Sequence, residues 1–133
     1  MRIILTLSAL LFTMTSLAND GSAAMSGVAS WYGEAHRGKP MANRKPFDPN
    51  KLTAASWFYP LGTKVRVTLR AEPERSVIVT ITDRGPARRY VRRGRLIDLA
   101  RGAFVQLAPA DLGLVPVTIE PITKSEPRQT AQL

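Results

Sequence analysis

A run of β-branched residues that stops at an aspartate and a Gly-Pro pair constrains this chain most. Ser76–Ile81 has no Gly or Pro and consists almost entirely of the β-branched residues Val, Ile and Thr, which predicts a buried strand. Gly85-Pro86 then ends the strand and turns the chain. Asp83 is thereby placed at the mouth of a sheet, where a general acid is expected. The alternative is that Asp83 binds Arg84 or caps the turn, as acidic turn residues commonly do.

The length and composition favour a single β domain. A chain of 133 residues has room for one core, and 10 Pro with 9 Gly favour a turn-rich β architecture over a helical bundle. The absence of cysteine excludes disulfides and thiolate sites. Because His36 is the single histidine, a multi-histidine metal site is excluded too. We therefore expect no cofactor and no metal.

Five further segments have the pattern of strands, and one has the pattern of a helix. The predicted strands are Gly27–Gly33, Leu52–Ser56, Lys64–Leu69, Arg95–Leu99 and Leu114–Ile122. A helix is predicted over Ala100–Leu107, with Asp98 as its N-cap and Phe104 on its apolar face. Between the first two strands, Glu34–Lys51 is predicted to be a long surface loop, and loops of this length are often functional.

The N-terminus has the pattern of a secretory signal peptide. Arg2 is followed by an apolar run over residues 3–12 and by the small-residue pattern Ser16-Leu17-Ala18. We expect a signal peptide over residues 1–18, a disordered leader over 19–26, one domain over 27–122 and a flexible tail over 123–133. No cysteine follows the cleavage pattern, so we expect export to the periplasm or cell exterior without a lipoprotein anchor or a transmembrane anchor.

The exported chain is strongly basic. Removal of Arg2 with the signal leaves 18 Lys and Arg against 10 Asp and Glu, a net charge of +8. This balance favours a polyanionic partner. Export argues against nucleic acid and leaves cell-wall polymers, anionic lipid head groups or lipopolysaccharide as partners, while the alternative is that the charge only keeps the protein soluble. Five of the basic residues cluster after the central strand: Arg84, Arg88, Arg89, Arg92 and Arg93.

Six motifs occur in order and together resemble a known family. They are Gly27-x-Ala29-Ser30-Trp31-Tyr32-Gly33; Ala42-Asn43 with Phe47-Asp48; Leu52-Thr53-Ala54-Ala55; Pro60-Leu61-Gly62-Thr63 with Val65-x-Val67; Asp83-Arg84-Gly85-Pro86; and Gly94–Leu99. The sequence resembles the rare lipoprotein A (RlpA) family of septal-ring lytic transglycosylases over residues 27 to about 121. The resemblance implies a mainly β fold, a six-stranded double-psi β-barrel shared with expansins, with one or two short helices.

The resemblance also implies a substrate and a reaction. It implies binding of peptidoglycan glycan strands, with other anionic wall polymers as further candidates, and non-hydrolytic cleavage that forms 1,6-anhydro ends. One carboxylic acid can serve as acid and then as base in such a reaction, and Asp83 matches the family's acid position. The expected substrate-binding residues, weighed against core packing of the aromatics, are Trp31, Tyr32, Lys45, Ser56, Trp57, Tyr59 and Arg84.

Two positions depart from the family pattern. The groove glutamate of the family is Lys45 here, and the groove histidine is Ser56. These departures favour a second hypothesis, a catalytically impaired module that binds peptidoglycan or another polysaccharide in the manner of an expansin. Asp83 favours the enzyme, and Lys45 and Ser56 favour the binding module.

Overall fold

The computed structural model describes residues 24–122, which form a closed barrel of six strands. The strands are β1 Met25–Tyr32, β2 Thr53–Ala55, β3 Lys64–Leu69, β4 Ser76–Asp83, β5 Arg95–Ala100 and β6 Val115–Pro121. The α-helices are α1 Arg88–Val91 and α2 Arg101–Phe104, and short 3₁₀ helices occupy Glu34–His36 and Ala110–Leu112. The mainly β class with short helices is therefore confirmed.

The strands follow one another around the barrel in the order β1-β5-β2-β4-β3-β6, and β6 closes on β1. The pairs β1/β5 and β2/β4 are parallel, and the other pairs are antiparallel. Parallel neighbours cannot be joined by a tight hairpin, so the chain needs long crossover connections. The loop after β1 joins β1 to β2 across β5, and the arginine-rich segment after β4 joins β4 to β5 across β2, because neither pair of strands is adjacent in the barrel.

The interior of the barrel is aliphatic. In β3 and β4 every second side chain points inward, as the alternation in the sequence predicts. Phe104 of α2 is fully buried and packs with these strands. Burial of each large apolar side chain stabilises the fold by about 1.5–3 kcal/mol, and this set forms the core. Its inward-facing residues on β3 and β4 are Val65, Val67, Leu69, Val77, Val79 and Ile81.

The predicted helix over Ala100–Leu107 is wrong in its start and length. Ala100 belongs to β5 because its parallel pairing with Tyr32 of β1 extends that strand, so the helix begins at Arg101 and ends at Phe104. Asp98 lies within β5 and does not cap the helix, whose N-cap position is Ala100. Strand pairing therefore overrides the local capping signal at Asp98.

The barrel also begins earlier than predicted. Met25 and Ser26 pair with Ile119 and Thr118 of β6, so they belong to the first strand and not to a leader. The predicted signal peptide over 1–18 and the predicted tail over 123–133 lie outside the described residues. Within residues 24–122, no helix has the length and hydropathy needed to cross a membrane.

Candidate functional site

A row of residues crosses four neighbouring strands and carries two carboxyl groups. Ser30 of β1 pairs with Asp98 of β5, Asp98 pairs with Ala55 of β2, and Ala55 pairs with Asp83 at the end of β4. Neighbouring strands are about 4.8 Å apart, so the backbones of the two aspartates are separated by roughly 10 Å. The pairing of β2 with β4 on one side, which is parallel, and with β5 on the other, which is antiparallel, thus brings together two aspartates that are distant in sequence.

Gly85 packs against the middle of this row. A Cβ atom at Gly85 would lie 3.3 Å from the Ala55 Cβ atom and 3.3 Å from Oδ2 of Asp98. Such contacts are tighter than usual, so a side chain at position 85 would displace the Asp98 carboxyl. A glycine after Arg84 is therefore suited to the turn for reasons of space and not of backbone conformation.

The Asp83 carboxyl is held by main-chain groups. Its Oδ1 accepts hydrogen bonds from the backbone N–H of Ala42 at 2.9 Å and of Arg84 at 2.8 Å. The Arg84 side chain points elsewhere and donates to the carbonyl oxygens of Ser56 at 2.8 Å and Tyr59 at 2.6 Å. Oδ1 is thus occupied as an acceptor, and Oδ2 is the oxygen of Asp83 that remains for a ligand.

Asp98 is a functional candidate that our sequence analysis missed, since it treated Asp98 as a helix cap. The carboxyl lies on the outer face of β5 and accepts a hydrogen bond from the Ser30 hydroxyl. Burial raises the pKa of Asp98, the Ser30 hydrogen bond and Arg95 oppose this rise, and the charge of Asp83 adds to it. A carboxyl with a raised pKa in such a place is suited to proton transfer.

Tyr32 joins the two aspartates into one electrostatic cluster. Its ring stacks on Phe47 with centroids 4.1 Å apart, and this packing fixes it on the outer face of β1. The pKa of the Tyr32 hydroxyl is raised mainly by burial, and the negative charges of Asp83 and Asp98 raise it further. The hydroxyl is buried and has no hydrogen-bond partner among the described residues. Because an unpaired buried polar group costs about 1–3 kcal/mol, this hydroxyl is well placed to receive a ligand oxygen.

The aromatic loop between β2 and β3 flanks the cluster. The Trp57 indole N–H donates to the carbonyl of Pro86 at 2.7 Å, while 43% of the residue stays exposed. Ser56 is fully buried, and its hydroxyl accepts from the N–H of Phe58 at 3.2 Å. Together with the Arg84 bonds, these contacts mean that Ser56 and Arg84 hold the loop in place, while the side chains of Trp57 and Phe58 stay largely exposed.

Three predicted binding residues lie away from the cluster. Trp31 is on the opposite face of β1 from Tyr32, packs against Phe104 with ring centroids 6.5 Å apart, and donates its indole N–H to Ala110 at 2.8 Å. Tyr59 packs against the core. Lys45 is exposed and lines a separate cleft of about 260 Å³ beside Thr80 and Thr82. Trp31 and Tyr59 therefore support the fold, and Lys45 lies at the edge of the site.

The turn that carries Lys45 also positions Asp83. Arg44 has a φ of 68°, in the left-handed region that favours glycine. The turn is closed by the Arg44 N–H on the Met41 carbonyl at 2.9 Å and by the Met41 N–H on the Lys45 carbonyl at 2.9 Å. Because Ala42 lies inside this turn, its N–H is held against Asp83.

A closed six-stranded barrel with this order of parallel and antiparallel pairs fits the class of double-psi β-barrel proteins. A family model described as "Lytic transglycolase" matches residues 24–119. The chain belongs to this family, as the sequence motifs predict. Among residues 24–122 no group of three or more His, Cys, Asp or Glu side chains is arranged to hold a metal ion.

Relatives in two bacteria have names that include an activity. A protein of Nostoc sp. named "Probable endolytic peptidoglycan transglycosylase RlpA" is 45% identical over 96 residues, which are 71% of this chain and 24% of the relative. A protein of Campylobacter jejuni named "Endolytic peptidoglycan transglycosylase RlpA" is 40% identical over 72% of this chain and 33% of its own length. The chain thus spans about a quarter to a third of the length of these relatives.

Solved structures share the fold. The Streptomyces papain inhibitor is 26% identical, with a TM-score of 0.59 over 76% of this chain and 96% of the inhibitor. An expansin of Clavibacter michiganensis, solved in complex with cellohexaose, is 16% identical, with a TM-score of 0.56 over 79% of this chain and 53% of the expansin. At this identity the expansin shows the likeness of fold alone.

Proposed function

We propose that the chain is an exported endolytic lytic transglycosylase that cleaves the glycan strands of peptidoglycan. The observation that carries this proposal is the pairing of Asp83 and Asp98 on either side of Ala55, with the buried Tyr32 hydroxyl beside them. The names of the relatives support the same activity. Two carboxyl groups and a hydroxyl on one rigid face are the groups that acid–base cleavage of a glycosidic bond needs.

In this mechanism, Asp98 donates a proton to the glycosidic oxygen as the bond from that oxygen to C1 breaks. The sugar's own C6 hydroxyl then bonds to C1 and gives its proton to Oδ2 of Asp83. The products are a 1,6-anhydro end and a free hydroxyl on the leaving sugar, so no water is consumed. The raised pKa of Asp98 supports its role as donor, and the two N–H groups on Oδ1 of Asp83 orient the acceptor.

Mass spectrometry of glycan strands tests this assignment, because anhydro ends form only with this cleavage. We expect Asp83→Asn and Asp98→Asn each to lower the rate by about 100-fold or more, the usual contribution of acid–base catalysis. Retention on purified sacculi should stay near the wild-type level. If Asp98→Asn cleaves normally while Asp83→Asn does not, Asp83 serves as both acid and base. Normal cleavage by both variants contradicts the proposal.

The second candidate function is a glycan-binding module without turnover. It is favoured by Lys45 and Ser56, which stand where the family has a glutamate and a histidine, and by the buried position of Ser56. In that case the wild-type protein binds to purified sacculi but releases no anhydro product at any protein concentration. Asp83→Asn should then act mainly on stability, since Asp83 fixes the turn at Ala42 and Arg84.

Export remains part of the proposal. Residues 1–18 have the pattern of a signal peptide, and processing is expected before Asn19. The intact mass of the protein from a periplasmic or culture fraction measures the mature N-terminus. A mass that begins at Asn19 supports export, and a full-length chain confined to the cytoplasm contradicts it.

A further inference from the structure

A second concave site lies beside the proposed groove. Trp57, Phe58, Arg88, Val91 and Arg92 line a cleft of about 290 Å³. This volume is just below the range of about 300–1,000 Å³ that is typical for small-molecule sites. The cleft is therefore large enough for one unit of a longer ligand, such as a single sugar, and not for an extended segment.

The cleft is joined to the proposed groove through the turn after β4. Trp57 is fixed by its hydrogen bond to the carbonyl of Pro86, and Pro86 is three residues from Asp83. Arg84 secures the other end of the same loop through the carbonyls of Ser56 and Tyr59. A chain-like ligand that reaches the carboxyl cluster can therefore extend into the cleft over one rigid turn.

The charges in the cleft are uncompensated within the described part of the chain. The sequence between Asp83 and Asp98 has six arginines and no acidic residue. The ion pairs of residues 24–122 involve Arg37, Arg66 and Arg75, and none includes an arginine of this segment.

Two of these arginines are held side by side at the cleft. The backbone N–H of Arg92 bonds to the carbonyl of Arg88 one helical turn earlier, so both side chains lie on one side of α1. Like charges at this spacing are destabilising, and an anion between them removes that cost. The other arginines nearby are directed differently, since Arg89 and Arg95 stack on Tyr90.

The aromatic wall indicates what kind of anion fits. The Arg88 guanidinium lies over one face of the Trp57 ring, 4.8 Å from its centre, so the charged group and the rest of the ring lie side by side in the wall of the cleft. Trp57 and Phe58 are each more than 40% exposed, an unusual exposure for large aromatics. A sugar ring presents an apolar face to an aromatic wall, and a carboxylate is matched by guanidinium groups.

We propose that this cleft binds an acidic sugar of the glycan strand, with its carboxylate on Arg88 and Arg92 and its ring against Trp57. The proposal rests on the proposed function in that the ligand is a glycan, and it adds the class of sugar and the residues that select it. In peptidoglycan the sugar of this class is the muramyl unit, whose lactyl carboxylate is free where the strand has lost its peptides.

The test compares two matched glycans and two matched proteins. The glycans are a peptide-free peptidoglycan tetrasaccharide and the same tetrasaccharide with its carboxylates reduced to alcohols. The proteins are Arg88→Met/Arg92→Met, which keeps the apolar length of both side chains, and the control Arg70→Met/Arg75→Met, which removes the same charge far from the cleft. Affinity is measured by calorimetry in the Asp83→Asn background, and the melting temperature of each protein is recorded.

We expect the Asp83→Asn protein to bind the acidic glycan about tenfold or more tightly than the reduced glycan. The Arg88→Met/Arg92→Met variant should lose this preference and keep its affinity for the reduced glycan, while the control keeps the preference. The assignment of the cleft is overturned if the Asp83→Asn protein binds the two glycans with equal affinity, or if Arg88→Met/Arg92→Met weakens the binding of both glycans equally. Either result leaves the groove proposal standing. If neither glycan binds, both proposals fail.

A third ligand separates carboxylate from phosphate. Poly(glycerol phosphate) has the charge of a wall polymer but offers neither a sugar ring nor a carboxylate. If this polymer binds more tightly than the acidic glycan and Arg88→Met/Arg92→Met abolishes its binding, the cleft is a phosphate site and our assignment is wrong. Weaker binding of the polymer than of the acidic glycan supports the acidic sugar.

Discussion

The interior of the barrel and the outer face of β1, β5, β2 and β4 are built from the same strands but differ in chemistry. The interior is filled by aliphatic side chains and Phe104, all buried and in mutual contact. The outer face has a buried serine, two aspartates and a tyrosine hydroxyl without a partner. Packing explains the aliphatic side chains of the interior, whereas the outer face keeps polar groups at a cost in stability.

This difference separates residues that maintain the fold from residues that the fold positions. An aliphatic side chain at Asp98 would remove the cost of burying a carboxyl at that position. Stability alone does not favour a carboxyl at position 98, because burial and the charge of Asp83 both disfavour its ionised form. Stability alone therefore does not explain the polar residues of the outer face, and substitutions on the two faces should behave differently.

The largest effect is expected in the interior. Phe104 is fully buried among aliphatic neighbours, so Phe104→Ala removes its contacts and leaves a cavity. We expect a loss of about 3–5 kcal/mol in the free energy of unfolding, enough to threaten a domain of this size. Urea denaturation followed by circular dichroism measures it. A loss below about 0.5 kcal/mol, the scale of surface sites, would show that Phe104 does not belong to the core.

The two tryptophans provide a matched comparison between the faces. Trp31 packs on Phe104 and Trp57 is largely exposed, although each donates its indole N–H to a carbonyl. Trp31→Ala should cost about 2–4 kcal/mol, and Trp57→Ala about 1 kcal/mol or less. Glycan binding should instead be weakened more by Trp57→Ala than by Trp31→Ala. Equal destabilisation by the two substitutions would contradict the assignment of Trp57 to a ligand face.

Much of the fold could be predicted from local patterns. The β3 bounds Lys64–Leu69 were predicted correctly because strict alternation and flanking turn residues agree there. The strand that leads to Asp83 was predicted for similar reasons, and the structure extends it to Asp83 itself. Family motifs predicted the barrel, which alternation alone does not specify.

The remaining features depend on contacts between distant segments. Asp98 was interpreted as a cap because an aspartate before an apolar run is a common helix signal, while the parallel pairing of β5 with β1 decides its role. Trp31 and Tyr32 are adjacent in sequence, but strand geometry sends them to opposite faces. The helix α1 was not predicted because its arginines have no apolar periodicity.

The acidic row is tested through the pH dependence of stability. The pKa of Asp98 is raised in the folded state, so the folded protein holds this proton more tightly than the unfolded chain. The free energy of unfolding must then fall as the pH rises from 3.8, the ordinary pKa of an aspartate, through the raised pKa of Asp98 in the folded protein. Asp98→Asn cannot ionise, so relative to the wild type it should gain stability as the pH rises from 3 to 7.

The comparison of wild type with Asp98→Asn cancels the titration of the other carboxyl groups, since both proteins contain them. Ser30→Ala serves as a control because it removes the hydrogen bond that opposes the rise in the pKa of Asp98. It should therefore steepen the decline in stability with pH. If the stability difference between wild type and Asp98→Asn does not change with pH, the carboxyl is not desolvated in the folded protein.

The smallest effect is expected at the turn that holds Asp83. Arg44 is the one non-glycine residue with a positive φ among residues 24–122, and a side chain in this region costs about 1–2 kcal/mol. Glycine relieves that strain but loses more backbone entropy on folding, so Arg44→Gly should stabilise the protein by only about 0.5–1 kcal/mol. Lys39→Gly, in the same loop without a positive φ, is the control and should destabilise it. If Arg44→Gly and Lys39→Gly destabilise the protein equally, the backbone at Arg44 is not strained. The turn then holds the Ala42 N–H against Asp83 without a cost at Arg44.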